Sequence, residues 1–299
     1  MKAIRKYSTP IKSLLRSSSE QDSILEVLTQ EEEYNDKNLL VLEKKYDMDG
    51  EIEEVHSFTY DDQGRLLNHL LEIPEDGIVE RFVTTRNADG NPTVIVKYYG
   101  DEEGEKTEYV YGTNAQVVKI MRYDADCEFE TQEDLEYDDQ SKLILRRISS
   151  VLDGKKYYRF SYDEKSNLIK EEDFDENDQL TSYVEIDYDE EDRETYVSRF
   201  NKEGKMISQL LTEYNVQGKM VRKIAKSSHV RITSFEYDEQ GRVIEESLSD
   251  QNDFVFSRSR LTYDDDGRIA EETIYETDLT RSGRDTHLSN RFEYVSLEN

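Results

Sequence analysis

The sequence predicts an all-β repeat protein: an antiparallel hairpin ribbon or open β-solenoid of about ten two-strand units, preceded by a short N-terminal helical arm. Three observations carry this. A turn-forming motif recurs at near-constant spacing along the chain. The residues leading into each turn alternate apolar and polar with a period of two, as a half-buried strand requires. Residues 40–299 show no sustained 3.6-residue period, and the whole chain holds only three Pro, as paired strands demand. A five-bladed β-propeller is the alternative, because two units span about 50 residues, close to one kelch-type blade.

Residues 1–38 are read as a basic arm and a capping helix. Lys2, Arg5, Lys6, Lys12 and Arg16 precede the first acidic residue, Glu20. Ile4, Ile11, Leu14 and Leu15 could line one face of a short helix, interrupted at Pro10. Ser17-Ser18-Ser19 before Glu20 reads as a helix N-terminus, with Ile24, Leu25 and Leu28 as its apolar stripe. The arm is expected either to fold back on the acidic remainder or to dock on a partner.

Residues 39–275 are the repeat array. Its motif is an aromatic or polar residue, then Asp or Asn, two variable residues and usually Gly. It occurs at Tyr60, Arg86, Tyr111, Tyr137, Tyr162, Tyr188, Tyr214, Tyr237 and Tyr263, at successive spacings of 26, 25, 26, 25, 26, 26, 23 and 26 residues. The acidic or amide side chain bonds the backbone two residues on, and Gly supplies the positive φ that closes the turn. Gly64, Gly218, Gly241 and Gly267 hold that position. Ser141, Ser166 and Asp192 replace it, and those turns are expected to bend differently. Weaker turns fall halfway between, as at Phe174-Asp175 and Phe200-Asn201, with Tyr46-Asp47 opening the array. Turns every 12 to 14 residues leave room for one strand between them, about twenty strands in all. Residues 276–299 are read as a C-terminal cap.

The motif Tyr-Asp-x-x-Gly-Arg followed by Leu, Val or Ile, as at Tyr60, Tyr237 and Tyr263, resembles the YD repeat of Rhs-type proteins and related bacterial wall and toxin proteins. The resemblance covers roughly residues 40–275. It implies a long ribbon of hairpins and a bacterial source. The family coils such ribbons into a shell around a toxin domain. This chain is too short to close such a shell, so the ribbon alone is implied.

Composition bounds the function. The 299 residues carry 69 Asp+Glu against 39 Lys+Arg, a net charge of −30, and the basic arm makes the remainder more acidic still. Such a charge argues against direct nucleic-acid binding. One Cys permits neither an intramolecular disulfide nor a thiolate zinc cage. No long apolar run is present to span or anchor in a membrane as a helix, and no secretory leader is seen, so the cytoplasm is the expected compartment.

No catalytic residue, cofactor site or metal site stands out, and the chain is read as a non-enzyme. His56, His69, His229 and His287 are scattered among different units. Cys127 lies between Asp126 and Glu128, whose charge disfavours a thiolate. Asp173-x-Asp175-x-Asn177 begins like an EF-hand loop, but Asp178 stands where Gly is required and Val184 where the bidentate Glu is required. The expected site residues are therefore structural anchors: Tyr60, Gly64, Tyr111, Tyr137, Tyr162, Tyr188, Tyr214, Gly218, Tyr237, Gly241, Tyr263 and Gly267. The expected function is a protein-binding scaffold or adaptor presenting an acidic, Tyr-rich surface, its partner another protein with a basic surface. The alternative is an immunity or inhibitor protein that neutralises a basic toxin or mimics nucleic-acid charge.

Overall fold

The protein is described here as a computed structural model covering residues 2–10, 26–277 and 286–296. It contains 22 strands and, among the described residues, no helix. In chain order they are β1 (Lys2–Pro10), β2 (Val27–Tyr34), β3 (Leu40–Tyr46), β4 (Ile52–Tyr60), β5 (Leu66–Ile73), β6 (Ile78–Arg86), β7 (Pro92–Tyr99), β8 (Glu102–Tyr111), β9 (Val117–Tyr123), β10 (Phe129–Tyr137) and β11 (Leu143–Ser150). They continue with β12 (Gly154–Tyr162), β13 (Leu168–Phe174), β14 (Leu180–Tyr188), β15 (Glu194–Asn201), β16 (Met206–Tyr214), β17 (Met220–Lys226), β18 (Val230–Tyr237), β19 (Val243–Ser249), β20 (Val255–Tyr263), β21 (Ile269–Glu276) and β22 (Thr286–Ser296).

Contacts divide the chain into two compact units, one of Met1–Phe58, Glu72–Gly77 and Thr212–Asn299, the other of Thr59–Leu71 and Ile78–Leu211. In the second unit each of β6 to β15 pairs antiparallel with the next strand in the chain. In the first, β17 to β22 do the same, and β22 then pairs with β1, β1 with β2, β2 with β3 and β3 with β4.

All 22 strands belong to one sheet, and the first strand bonds the last. This overturns the open ribbon and solenoid, and equally the five-bladed propeller, which would need separate four-stranded sheets. Strand and hairpin content were legible in the repeat, but closure was not. It depends on pairing residues such as Ala3 and Val295, which no local pattern announces.

The helical arm is also corrected. Residues 2–10 form β1, and Leu28, placed on a helical stripe, lies in β2. The arm does fold back on acidic chain, but as a strand: Arg5 Nε donates to Glu31 at 2.7 Å. The rest of the expected helix, including Ser17 to Ser19 and Ile24, lies outside the described residues. Ile4 and its basic neighbours suited a helical face on periodicity alone. Pairing with β2 and β22 on both edges decides for strand.

Each ladder turn follows one plan. At Tyr60, the Asp61 N–H donates to the Arg65 carbonyl and the Gly64 N–H to the Asp61 carbonyl. The Asp61 carboxylate accepts the Gln63 and Arg65 N–H groups, both at 2.9 Å. Ser141, Ser166 and Asp192 do not bend their turns differently. They take the same left-handed position, at φ of 67°, 79° and 60°, as do Asn38 and Ala115. At Asn38, Ser141, Ser166 and Asp192 the Asx turn and two strands over-determine that conformation, and at Ala115, whose turn is led by Gly112, the backbone bonds and strands do so alone, so the sequence can omit Gly and accept a cost of about 1–2 kcal/mol.

Where the preceding turn presses close, a side chain at the Gly position would also have to displace a neighbouring cation. A Cβ on Gly90 would sit 1.4 Å from Arg65 Nη1, and one on Gly241 would sit 2.5 Å from Lys219 Nζ, whereas nothing lies within 4 Å of Gly50 or Gly77. Gly50→Ala is therefore expected to lower stability by about 1–2 kcal/mol, from backbone strain alone. Gly90→Ala should cost clearly more, because it also displaces the Arg65 guanidinium. Urea midpoints of the two variants compare them directly, and equal losses would show that Arg65 moves aside freely.

Candidate functional site

The ladder turns are the one feature repeated through both units, and each side chain of the motif has a structural task. The hydroxyls of Tyr111, Tyr137, Tyr162, Tyr188, Tyr237 and Tyr263 donate to the carbonyls of Pro92, Val117, Leu143, Leu168, Met220 and Val243, at 2.6 to 2.9 Å. In every case the acceptor is the first strand residue after the preceding turn. Arg86, standing where a Tyr would be, does the same by donating Nη2–H to the Leu66 carbonyl at 2.9 Å. Tyr60 and Tyr214 end β4 and β16 at the equivalent place. Burial pushes the phenol pKa of Tyr60, Tyr111, Tyr137, Tyr162 and Tyr188 upward, so these hydroxyls stay protonated donors.

The residue after the left-handed position looks forward to the next unit. Lys142, Lys219, Arg242 and Arg268 place their cations 5.2, 5.2, 4.2 and 4.4 Å from the ring centres of Tyr162, Tyr237, Tyr263 and Tyr294. Arg65, Arg193, Arg242 and Arg268 also bind the Asp of their own turn at 2.6 to 2.7 Å. Turn-to-turn contacts follow, such as Lys165 to Asp192 at 2.7 Å and Lys219 Nζ to the Gly241 carbonyl at 2.6 Å.

Two anchors were missed in the sequence. Tyr34 ends β2 before a turn built on Asn35 and Asn38, and it precedes Tyr60 by the ladder spacing of 26. Spacing alone could have found it, but the missing Gly hid it. Tyr294 donates to the Ile269 carbonyl at 3.0 Å and faces Ile4, as Tyr263 faces Ile269 across its turn. The last anchor therefore lies in β22, which joins the array by pairing with β21 and β1.

Toward the other ends of the strands, the tyrosine-bearing face becomes charged. Glu133 is 5% exposed and receives Arg122 and Arg146, both at 2.6 Å. Burial opposes its charge, but the two guanidiniums outweigh that and hold its carboxyl below the usual range. Glu80 meets Lys97 at 3.0 Å, and Asp173 meets Ser182 at 2.6 Å and Arg199 at 3.4 Å. Asp173 and Asp175 thus serve pairing and turn, since Asp175 accepts the Asn177 and Gln179 N–H groups.

His56 bonds Glu54, His69 stacks on Phe82, His229 bonds Ser228 and His287 packs edge-on against Tyr275, in four different places. Cys127 is exposed at the left-handed position of its turn. Among the described residues no three His, Cys, Asp or Glu side chains converge as a metal site.

A shallow cleft of about 430 Å³ lies in the second unit between Phe129, Ser149, Val151, Gly154, Lys155 and Glu176. Its lip is the β11–β12 turn, whose Leu152 is 91% exposed. Val151 beside it is 66% exposed, and among the ladder turns Val216 is likewise an exposed apolar tip, at 97%.

No family model matches this chain, and no curated protein is similar to it in sequence. The YD-repeat and Rhs-like reading is therefore not supported beyond the hairpin repeat itself. Among solved structures, the chain is similar to a chain of the TcdB2-TccC3-Cdc42 crystal structure at 13% identity and a TM-score of 0.55, over 91% of this chain. That match spans 15% of the other chain's length. It shows a shared all-β fold. A porin-like protein from Bacteroides uniformis aligns over 98% of this chain and 97% of its own, at 9% identity and a TM-score of 0.33.

Hydrogen bonds set the titration of the ladder carboxylates. For Asp61 the Arg65 N–H, and for Asp189 the Arg193 side chain, dominate and hold the carboxyl low. For Asp238 and Asp264, desolvation acts in the opposite direction and is outweighed by backbone and guanidinium donors. A depressed carboxyl stabilises the fold above its unfolded value of about 3.9, and that contribution is lost as pH falls through the folded value. Asn fills the same turn position at 35, 87 and 215, accepting the same two N–H groups. Replacing Asp61, Asp189, Asp238 and Asp264 together by Asn is expected to keep the turns and flatten the loss of stability below about pH 4. Urea midpoints measured against pH test this, and an unchanged slope would place the acid sensitivity elsewhere.

Proposed function

We propose that the chain is a non-enzymatic protein-binding scaffold that presents an acidic β-repeat surface to a partner with a basic surface. One observation carries this reading. The cations of the ladder are engaged by their own turn or by the next tyrosine ring, while acids at the outer turn positions, Asp139, Glu190, Glu239 and Asp265, are exposed. The turns thus spend their positive charge on the fold and show negative charge to solvent. A field of one sign steers and captures an oppositely charged partner. The ladder tyrosines are half-buried and bonded through their hydroxyls, so the exposed acids and the apolar β11–β12 tip are the contact elements, not the tyrosines.

Regular spacing of these acids favours a second reading, an inhibitor that presents carboxylates in a phosphate-like row to a basic toxin or a nucleic-acid-binding protein. Salt separates the two. On the scaffold reading, capture of a partner by the immobilised chain survives about 1 M salt and is lost in Leu152→Ser, because an apolar anchor carries the affinity. Capture that vanishes with salt and ignores Leu152 would favour the charge mimic.

The acidic surface itself is tested with a deca-lysine peptide and calorimetry. Reversing Asp139, Glu190, Glu239 and Asp265 to Lys should weaken binding by roughly tenfold or more at low salt without shifting the melting temperature. Unchanged binding would remove the exposed turn acids from the contact.

A further inference from the structure

The first strand occupies a groove that reads its sequence closely. Against β22, β1 pairs from Lys2 opposite Ser296 to Pro10 opposite Leu288 without a bulge, the longest uninterrupted register among the described strands. On its other edge it pairs with β2 from Lys2 opposite Tyr34 to Ser8 opposite Val27. β2 and β22 are also held by β3 and β21, so removing β1 breaks no other ladder.

Charge and shape both favour this occupant. β1 carries Lys2, Arg5 and Lys6 and no acid, and β2 carries Glu31, Glu32 and Glu33. Arg5 donates to Glu31 at 2.7 Å, and the Tyr7 hydroxyl donates to Glu293 at 3.0 Å. Two positions admit only small side chains: Ala3 is 2% exposed and Ser8 is 3% exposed. The Ser8 hydroxyl donates to Asn290 Oδ1 at 2.8 Å and shares a 2.7 Å hydrogen bond with Thr29. Asn290, fully buried, donates in turn to Glu272 at 3.0 Å, whose other oxygen accepts Ser259 at 3.0 Å. Emptying the groove would leave Asn290 with an unpaired buried acceptor and expose two rows of backbone donors and acceptors, which is the condition for binding by strand addition.

We propose that the groove between β2 and β22 is a recognition site for an extended basic strand, filled here by the chain's own β1, and that β1 of a second copy of the chain occupies it by exchange. This does not rest on the scaffold reading. The contacts are identical in both arrangements, so concentration sets the balance. A tethered strand competes at an effective concentration on the order of millimolar, and exchange rises as refolding approaches that concentration.

Cysteine pairing in the full chain tests this, in a Cys127→Ser background. Arg5 and Glu31 are direct cross-strand partners. Arg5→Cys and Glu31→Cys in one chain should form an intrachain disulfide, reporting that β1 sits in the groove. The two single variants, mixed, unfolded and refolded together at about 1 mM, should form an interchain disulfide roughly tenfold above a mismatched pair of Arg5→Cys with Ser247→Cys, and the yield should fall on dilution. If the double variant closes but the mixture gives no more than the mismatched pair, exchange is overturned. Failure of the double variant to close would overturn the groove itself.

Discussion

The hydrogen bond from an anchor to the carbonyl just past the preceding turn is the contact on which the rest of the structure depends. At Arg86, Tyr111, Tyr137, Tyr162, Tyr188, Tyr237, Tyr263 and Tyr294 the acceptor belongs to the unit before, whereas Tyr34 donates to Glu32 of its own strand. At four turns the cation after the turn lies over the ring of the unit that follows. Period and contact therefore enforce each other. Arg86 shows that the donation matters more than the ring, since a guanidinium replaces the phenol and reaches Leu66 instead. The one short interval, 23 residues between Tyr214 and Tyr237, tells the same story. Tyr237 still reaches Met220, and the deletion is taken up in the tight Ser227 to His229 turn at the other end of the hairpin.

This organisation explains how so polar a chain folds. Among the described residues only Ala3, Val184 and Ile232 are buried apolar side chains, so a conventional oily core cannot be the main support. Hydrogen-bonded ladders, half-buried rings and cation stacks take its place, with pairs such as Tyr157 on Phe174 and Tyr183 on Phe200 adding apolar contact on the opposite face of the strands. Buried charge is matched by opposite charge at the most enclosed carboxylate, Glu133. Losing either of its two arginines would leave a carboxylate poorly solvated in a site built for two donors.

What could be read from the sequence was whatever lies within one repeat. The turn residues, the alternation toward Tyr188 and the 26-residue step are local, and they gave strands, hairpins and anchors at nearly every position. Ser141 and Asp192 misled because Gly was taken as the cause of the bend, whereas the Asx carboxylate and the flanking strands impose it. β1 misled because its neighbours lie far away in the chain, with Tyr7 meeting Glu293 across 286 positions. Function was least legible of all. The acids that form turns and those that face solvent are the same residue types, and only the hydrogen bonds tell them apart.

The pairing of β1 with β22 has a further consequence. Tyr294 opposite Ile4 repeats the pairing of Tyr263 opposite Ile269, yet Ser296 and Lys2 meet there without a covalent turn between them. A unit can therefore be complete in its hydrogen bonds while broken in its backbone. Connectivity and architecture are separable in this sheet. A circular permutant joined at this seam and opened at another ladder turn of the first unit would keep the same donors and the same register there.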